Sequence, residues 1–173
     1  MIIGEKVCLG PLLHVDGPAM FNWLNTLSLA HLNGSYRPQD QAGFDGWLSS
    51  LSSDRSKVVF AIRNQGDLRL LGYVQIVNIN PVCRTAEMGI LIGEAGDRGK
   101  GLGQEALRLA LGHCWNDLNL HRVTLHVHGE NPVAIHAYAK VGFIEEGRMR
   151  QAGYVNGRFV DIVVMGTLRP DAP

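Results

Sequence analysis

A glycine-rich segment directly before a helix-forming run is the feature that most constrains this chain. The stretch Arg98–Leu111 reads RGKGLGQEALRLAL, with glycines at positions 99, 101 and 103. Glycine lacks a Cβ, so backbone N–H groups can approach a ligand closely. The first turn of a helix adds unpaired N–H groups and a partial positive charge. The segment therefore predicts a binding site for a phosphate-bearing ligand at the start of a helix.

Bulk composition favours one globular domain, expected over residues 1–173, of which 46% are hydrophobic. Sixteen basic residues balance sixteen acidic ones, which argues against nucleic acid or an anionic membrane as the partner. The dispersed cysteines at positions 8, 83 and 114 indicate reduced thiols of a cytoplasmic protein rather than disulfides or a metal site. No signal-peptide pattern and no apolar run of roughly 20 residues is found.

The order of predicted elements indicates an α+β fold with a mixed, mostly antiparallel central sheet flanked by helices. Strand patterns occur over residues 6–9, 57–63, 69–79, 85–93 and 122–128, and Asn156-Gly157 predicts a final hairpin. Helices are predicted before the second strand, from about 103 to 115, and from Asn131 to Val141.

Two familiar phosphate-binding motifs do not fit the glycine-rich segment. A Walker A loop requires Ser or Thr after its Gly-Lys pair, but the residue after Lys100 is glycine. A dinucleotide fingerprint would need glycine at position 104, where this chain has glutamine. The spacing present is R-x-x-G-x-G over residues 98–103.

That spacing resembles the pyrophosphate loop of the GNAT superfamily of N-acetyltransferases, whose signature is [Q/R]-x-x-G-x-[G/A]. The segment ENPVAIHAYAKVGF, residues 130–143, resembles the family's second motif, with Asn at a helix start followed by Ala, Tyr, Lys and Gly-Phe. Residues 145–165 are similar to the branch of ribosomal-protein N-terminal acetyltransferases and spermidine acetyltransferases. The likeness covers about residues 70–168 and implies a GNAT fold and acetyl-CoA-dependent N-acetyl transfer.

The resemblance also implies where acetyl-CoA binds. The loop should hold the pyrophosphate through its N–H groups, and the preceding strand end should bind the pantetheine arm in a sheet-like manner. The implied cofactor-binding residues are Ile90, Leu91, Ile92, Arg98, Gly99, Lys100, Gly101, Leu102, Gly103, Gln104, Asn131, Ala134, Tyr138 and Lys140. Asn131 has an alternative role as a helix cap only. Asp97 is an unexpected neighbour for a phosphate.

Two residues are predicted to be catalytic. Tyr138 occupies the family's general-acid position and, seven residues after Asn131 and four after Ala134, shares a helix face with both. Its alternative role is packing against the sheet. Glu87, a carboxylate in an otherwise apolar strand, is the predicted general base, acting through water. Substrate positioning or a structural hydrogen bond are its alternatives. His126 and His128, which face one side of the next strand, are further candidate bases, with surface positions as their alternative.

The acceptor is less constrained than the cofactor. Tyr36, Arg37, Glu87 and His126 are the predicted substrate-binding residues. A polyamine requires several carboxylates around its site, whereas residues 28–38 contain none and offer Arg37 and His31. A small-metabolite amine or a peptide N-terminus fits this segment better, although a homodimer would let a neighbouring subunit supply carboxylates. The alternative function is a non-catalytic acyl-CoA-binding or sensing module, which would not need the general acid.

Overall fold

One eight-stranded sheet forms the centre of the described structure. The computed structural model describes residues 1–33, 36–51 and 53–170, without the side chain of Asn33. Its strands are β1 (Ile2–Ile3), β2 (Val7–Gly10), β3 (Val58–Asn64), β4 (Leu70–Asn80), β5 (Thr85–Ile92), β6 (Arg122–His128), β7 (Ile144–Val155) and β8 (Arg158–Leu168). Its α-helices are α1 (Gly17–Leu24), α2 (Leu27–Asn33), α3 (Gln41–Ser50), α4 (Leu102–Asn116) and α5 (Pro132–Ala139).

The described strands are ordered β1-β2-β3-β4-β5-β6-β8-β7 across the sheet. Strands β5 and β6 run parallel, and the other neighbouring pairs run antiparallel. A parallel pair needs a crossover connection, and α4 provides it between β5 and β6. The prediction of an α+β fold with a mixed, mostly antiparallel sheet is confirmed.

Helices pack on both faces of the sheet. On one face α4 buries the apolar stripe that its sequence predicts, which consists of Ala106, Leu107, Ala110, Leu111 and Cys114. Burial raises the pKa of the Cys114 thiol to about 12, as befits a structural cysteine. On the other face α1, α2 and α3 form a second core against Leu91. The end of β5 is therefore packed on both sides, with Ile90 and Ile92 against the first core and Leu91 in the second.

The ends of the helices differ slightly from the sequence-based prediction. Helix α4 begins at Leu102, one residue before the predicted start, and α5 ends at Ala139, before the predicted end at Val141. The N–H of Val141 bonds to the carbonyl of Tyr138, so the last turn tightens to three-residue spacing. Strand β1 has only two residues, too few to give a sequence pattern.

A buried ion pair ties the start of α1 to the sheet. Arg63 on β3 donates from Nη1 to Asp16 Oδ1 at 3.0 Å and from Nη2 to Asp16 Oδ2 at 2.6 Å. The carboxylate also accepts from the N–H of Leu13 at 2.7 Å. Asp16 is 4% exposed and Arg63 7% exposed. Each charge is compensated by its partner, so neither can be removed alone without leaving an isolated charge in the interior.

Candidate active site

The candidate site lies where two parallel strands separate. Strand β5 pairs with β6 only from Thr85 to Glu87, the last pair being Glu87 with Thr124. Both strands continue beyond that point, β5 to Ile92 and β6 to His128. The strands thus diverge into a V whose apex is Glu87, and the edge of β5 that faces the gap has no β6 partner there. Backbone groups on such an edge are available to bind an extended ligand in a sheet-like manner.

The gap opens into a cleft of about 710 Å³. Its walls are the diverging ends of β5 and β6, the loop before α4, and α5. The predicted cofactor residues that line it are Ile90, Leu91, Ile92, Arg98, Gly99, Gly101, Leu102, Gly103, Gln104, Asn131, Ala134 and Tyr138. A volume of several hundred Å³ with mixed polar and apolar walls is typical of a small-molecule or cofactor site.

The loop before α4 has the backbone conformation that an anion site requires. Gly101 is the residue that precedes the helix, and its φ of +81° lies in the left-handed region, which residues with a Cβ adopt only at a cost. Gly103 lies in the first turn of α4, where N–H groups have no helical partner. Because this turn also carries the positive end of the helix dipole, the loop favours a phosphate.

The Arg98 side chain bonds to the protein's own backbone. Its Nε donates to the carbonyl of Ile92 at 3.0 Å, and its Nη2 donates to the carbonyl of Gly93 at 2.6 Å. These bonds connect the end of β5 to the loop. Arg98 therefore fixes the positions of the strand end and the loop relative to each other.

Asp97 does not oppose a phosphate in the way its sequence position implies. Its carboxylate is buried, 8% exposed, and accepts two hydrogen bonds from Arg69, at 2.9 and 3.1 Å. Lys100 Nζ also lies near this carboxylate, 4.0 Å from Asp97 Oδ1. The hydrogen bonds from Arg69 hold the pKa of Asp97 below its usual value, so the carboxylate stays ionised at neutral pH and its charge is compensated.

Helix α5 presents Asn131, Ala134 and Tyr138 to the cleft. Asn131 Oδ1 accepts from the N–H of Ala134 at 3.1 Å, so it caps α5 while it also lines the cleft. The Tyr138 ring packs edge-on against Phe143, with ring centres 6.0 Å apart. Burial raises the pKa of Tyr138 to about 12, so the hydroxyl keeps its proton and can donate it across the neutral range.

Glu87 on β5 and His126 on β6 form a pair of neighbouring side chains. His126 Nδ1 lies 3.8 Å from Glu87 Oε2, and their side chains are 42% and 40% exposed. His126 lines the cleft, whereas Glu87, at the apex of the V, is not among the lining residues that the structure describes. Of the two side chains, the imidazole is therefore the one that faces the described cleft.

The family follows from a comparison with known proteins. A family model described as "Acetyltransferase (GNAT) domain" matches residues 6–144, most of the chain. The chain belongs to the GNAT acetyltransferase family. The resemblance predicted from the loop and the second motif is thereby confirmed.

Two curated relatives of this GNAT chain represent the two kinds of acetyltransferase in the predicted branch. A spermidine N(1)-acetyltransferase of Vibrio cholerae serotype O1 is 39% identical over 100 residues, which cover 58% of this chain and 57% of the relative. A putative ribosomal N-acetyltransferase of Bacillus subtilis is 32% identical over 103 residues, covering 60% and 56%. The chain thus spans less than two thirds of the length of these curated relatives.

A solved structure resembles the GNAT chain over nearly its whole length. It is the crystal structure of spermidine N-acetyltransferase from Vibrio cholerae in complex with CoA and spermine. The two chains superpose with a TM-score of 0.88 at 29% identity, covering 94% of this chain and 95% of the other. The agreement extends the GNAT fold beyond the segment that the family model matches.

Several predicted residues of the GNAT chain lie outside the described lining of the cleft. Lys100 and Lys140 are exposed, the first on the loop and the second just after α5. Tyr36, half-buried, and Arg37, exposed, lie between α2 and α3. The segment predicted to form the acceptor pocket also includes residues 34 and 35, which lie outside the described residues.

Sequence reasoning missed several residues that line the cleft. They are Leu32, Asp97, Leu107, Val127, Pro132, Val133, His136 and Ala137. Most of them neighbour predicted residues on the same strand or helix, so widening each predicted motif by one turn would have included them. Leu32 belongs to α2 and to residues 28–38, the segment predicted to face the acceptor, although it is not itself among the predicted residues.

Within the described part of the GNAT chain, no cluster of three or more His, Cys, Asp or Glu side chains is placed to hold a metal ion. The helices described there include none that is long and apolar enough to cross a membrane.

Replacing Arg69 with glutamine should weaken CoA binding, because it leaves the Asp97 carboxylate without its main partner beside the loop. We expect the Kd for CoA to rise by about two- to fivefold, the scale of one partly solvated charge at contact distance. The double variant Arg69→Gln/Asp97→Asn should recover most of the loss. Calorimetric titration with CoA at low and high salt measures the Kd of the single and the double variant. Equal weakening in the single and double variants would mean that charge compensation is not the reason for the pair.

Proposed function

We propose that this chain is an acetyl-CoA-dependent N-acetyltransferase that moves an acetyl group directly to a primary amine. The observation that carries the proposal is the cleft between the diverging ends of β5 and β6, which is lined by the glycine-rich loop, Tyr138 and His126, the imidazole that pairs with Glu87. Direct acyl transfer from a thioester needs a site for the cofactor, an acid for the sulfur and a base for the amine. The cleft offers a residue for each task.

The cofactor half of the proposal rests on the loop and the free edge of β5. The N–H groups of the loop and of the first turn of α4 would hold the pyrophosphate. The β5 edge at Ile90–Ile92, which has no β6 partner, would bind the pantetheine arm as a neighbouring strand would. Arg98 would contribute by fixing the geometry of the loop through its bonds to Ile92 and Gly93. The crystal structure with CoA bound, at a TM-score of 0.88, supports the same assignment.

Tyr138 is the proposed general acid. It lines the same cleft as the loop, and burial keeps its hydroxyl protonated at neutral pH. The hydroxyl would donate to the sulfur as negative charge develops there on cleavage of the thioester. Deprotonation of the amine would fall to the pair formed by Glu87 and His126.

The proposed acceptor is a primary amine with less positive charge than a polyamine, either a small metabolite or a peptide N-terminus. A second pocket of about 380 Å³ adjoins the cleft at Leu32 and Asn131. It contains His31 and His128, and its carboxylate, Glu130, is paired with Arg158 at 2.6 Å. The carboxylate that lines the cleft, Asp97, is also paired with an arginine. Described lining residues therefore offer no unpaired carboxylate to a polycation.

Spermidine is the second candidate acceptor, because it is named in the curated relative and its close analogue spermine is bound in the solved structure. One assay distinguishes the two candidate acceptors. Release of the CoA thiol from acetyl-CoA is followed with spermidine, free amino acids, an aminosugar nucleotide and short peptides. A higher kcat/KM with an amino acid, an aminosugar nucleotide or a peptide supports the less cationic acceptor. Preference for spermidine would overturn that part of the proposal.

Replacing Gly103 with alanine should reduce acetyl-CoA affinity by at least about tenfold, because the new methyl group would block backbone approach to the pyrophosphate. The protein itself tolerates the change, since the added Cβ would lie 3.6 Å from Ile92 and 3.7 Å from Ile90, at ordinary contact distances. Gly112→Ala is the matched control in the same helix, where an added Cβ meets nothing within 4 Å. Calorimetric titration with acetyl-CoA compares the two. Equal affinities would place the pyrophosphate elsewhere.

A further inference from the structure

We propose that His126, rather than Glu87, takes the proton from the attacking amine, and that Glu87 positions the imidazole. The inference rests on the proposed function, because it assigns a role within the same reaction. Sequence reasoning favours Glu87 as the base, since a carboxylate in an apolar strand needs a reason. The structure supplies a different reason for that carboxylate.

The first observation is the order of the two groups along the gap. Glu87 belongs to the last residue pair that joins β5 to β6, at the apex of the V. His126 lies two residues beyond the partner of Glu87, where the strands have separated, and its side chain lines the cleft. His126 is thus the member of the pair that an amine bound in the cleft can contact.

The second observation is the orientation of the imidazole. Nδ1 is the ring nitrogen that lies 3.8 Å from Glu87 Oε2, so a proton on Nδ1 is attracted to the carboxylate. That arrangement leaves the Nε2 lone pair available as the acceptor, because a neutral imidazole carries one N–H and one lone pair. The distance is longer than a hydrogen bond, as is common for catalytic pairs before substrate binds.

Other charged and titratable groups line the same cleft as His126. Tyr138 and His136 line it from α5, and the loop contributes Asp97, which is paired with Arg69, and Arg98, which is bonded to backbone carbonyls. His128 lies two residues further along β6. The β8 residue that pairs with His126 is Val164, which is apolar. Glu87 is thus the carboxylate that the described structure places beside His126.

The proposed step balances as follows. The amine nitrogen forms a bond to the thioester carbonyl carbon, and the carbon–sulfur bond breaks. The proton lost by the nitrogen passes to His126 Nε2, and the sulfur receives a proton from Tyr138. Solvent returns a proton to Tyr138 and removes one from His126, so the products are the N-acetylated amine and CoA with a free thiol. Glu87 stabilises the imidazolium without itself becoming protonated.

The test is a double-mutant cycle on kcat with the best acceptor amine. His126→Gln should lower kcat by about 10²-fold or more, and Glu87→Gln by less, because it only disorients the imidazole. The double variant should match His126→Gln alone, since Glu87 acts through His126. The Kd for acetyl-CoA should stay unchanged in all three variants, which shows that they fold. His121→Gln, a histidine just before the same strand, is the matched control and should retain wild-type kcat.

A second readout separates a chemical role from a structural one. In His126→Gly, added imidazole should restore part of kcat, with a rate that rises with imidazole concentration. Full kcat in His126→Gln, or a further large loss when Glu87→Gln is added to it, would overturn the assignment of His126. Absence of CoA release by the wild type with every amine tested would instead overturn the proposed function, and this assignment with it.

Discussion

Replacing Tyr138 with phenylalanine should lower kcat for acetyl transfer by about 10- to 150-fold, the effect of losing one hydrogen bond of roughly 1.5–3 kcal/mol to a developing charge. The size of the effect depends on how closely the pKa of the proton donor matches the working pH. A proton donor is most effective when its pKa lies near the working pH, where it contributes about 10²–10⁴-fold. Burial raises the pKa of Tyr138 to about 12, well above the roughly 8.5 of a thiol, so proton transfer to the sulfur is less favourable than from a matched acid and the expected effect lies at or below the low end of that range.

The measurement is steady-state kcat together with the Kd for acetyl-CoA. The Kd should stay within about twofold of the wild type, because the lost interaction forms mainly in the transition state. Tyr73→Phe is the matched control, since Tyr73 also has a pKa raised by burial but lies outside the described lining of the cleft. Unchanged kcat in Tyr138→Phe would mean that another group, or water, protonates the sulfur.

The raised pKa of Tyr138 also predicts a pH dependence. A group whose pKa is raised in the folded protein stays protonated until the pH approaches the raised value, here about 12. The wild type and Tyr138→Phe should therefore show the same dependence of kcat on pH between pH 7 and about 10. A loss of kcat that is present in the wild type and absent in the variant would show that the tyrosine ionises in that range.

Replacing Asp16 with alanine should destabilise the protein by about 3–5 kcal/mol, the cost of leaving one charge of a buried pair without its partner. Arg63 would keep its guanidinium in the interior, and the N–H of Leu13 would lose its acceptor. The free energy of unfolding from urea titration at pH 7 measures the loss. Glu130→Ala is the control, because Glu130 pairs with Arg158 on the surface, where ion pairs contribute little.

A double replacement distinguishes charge burial from loss of packing. Asp16→Leu/Arg63→Met removes both charges and keeps apolar volume, so it should recover a large part of the stability lost in Asp16→Ala. A value for Asp16→Ala within about 1 kcal/mol of the wild type would contradict the account. It would mean that water reaches Arg63 in the variant and solvates it.

The parts of the site that sequence predicted are those fixed by local geometry. Gly101 has the positive φ that favours glycine, and Asn131 caps α5 as its position before Pro132 indicates. The helix period puts Ala134 and Tyr138 beside Asn131, and all three line the cleft. Each of these features depends on residues within two turns of each other, which periodicity and capping rules describe.

The parts that sequence did not predict depend on contacts between distant residues. The gap exists because pairing of β5 with β6 stops at Glu87, which no local pattern signals. Asp97 can lie beside the proposed phosphate-binding loop because Arg69, 28 residues earlier, compensates its charge. Gly93 is required because an added Cβ would lie 2.0 Å from the ring of Trp23. Such requirements appear only when strands and helices are placed in three dimensions.

The measurement that tests the central claim most directly follows CoA thiol and N-acetylated amine in the same reaction. Purified protein, acetyl-CoA and each amine of the panel are mixed, and both products are quantified over time. The account predicts that one class of amine gives the two products in equal amounts, and that Gly103→Ala reduces both together. Tight acetyl-CoA binding without product from any amine, or CoA release without acetylated amine, would contradict it. The first result would favour an acyl-CoA-sensing module, and the second a thioester hydrolase.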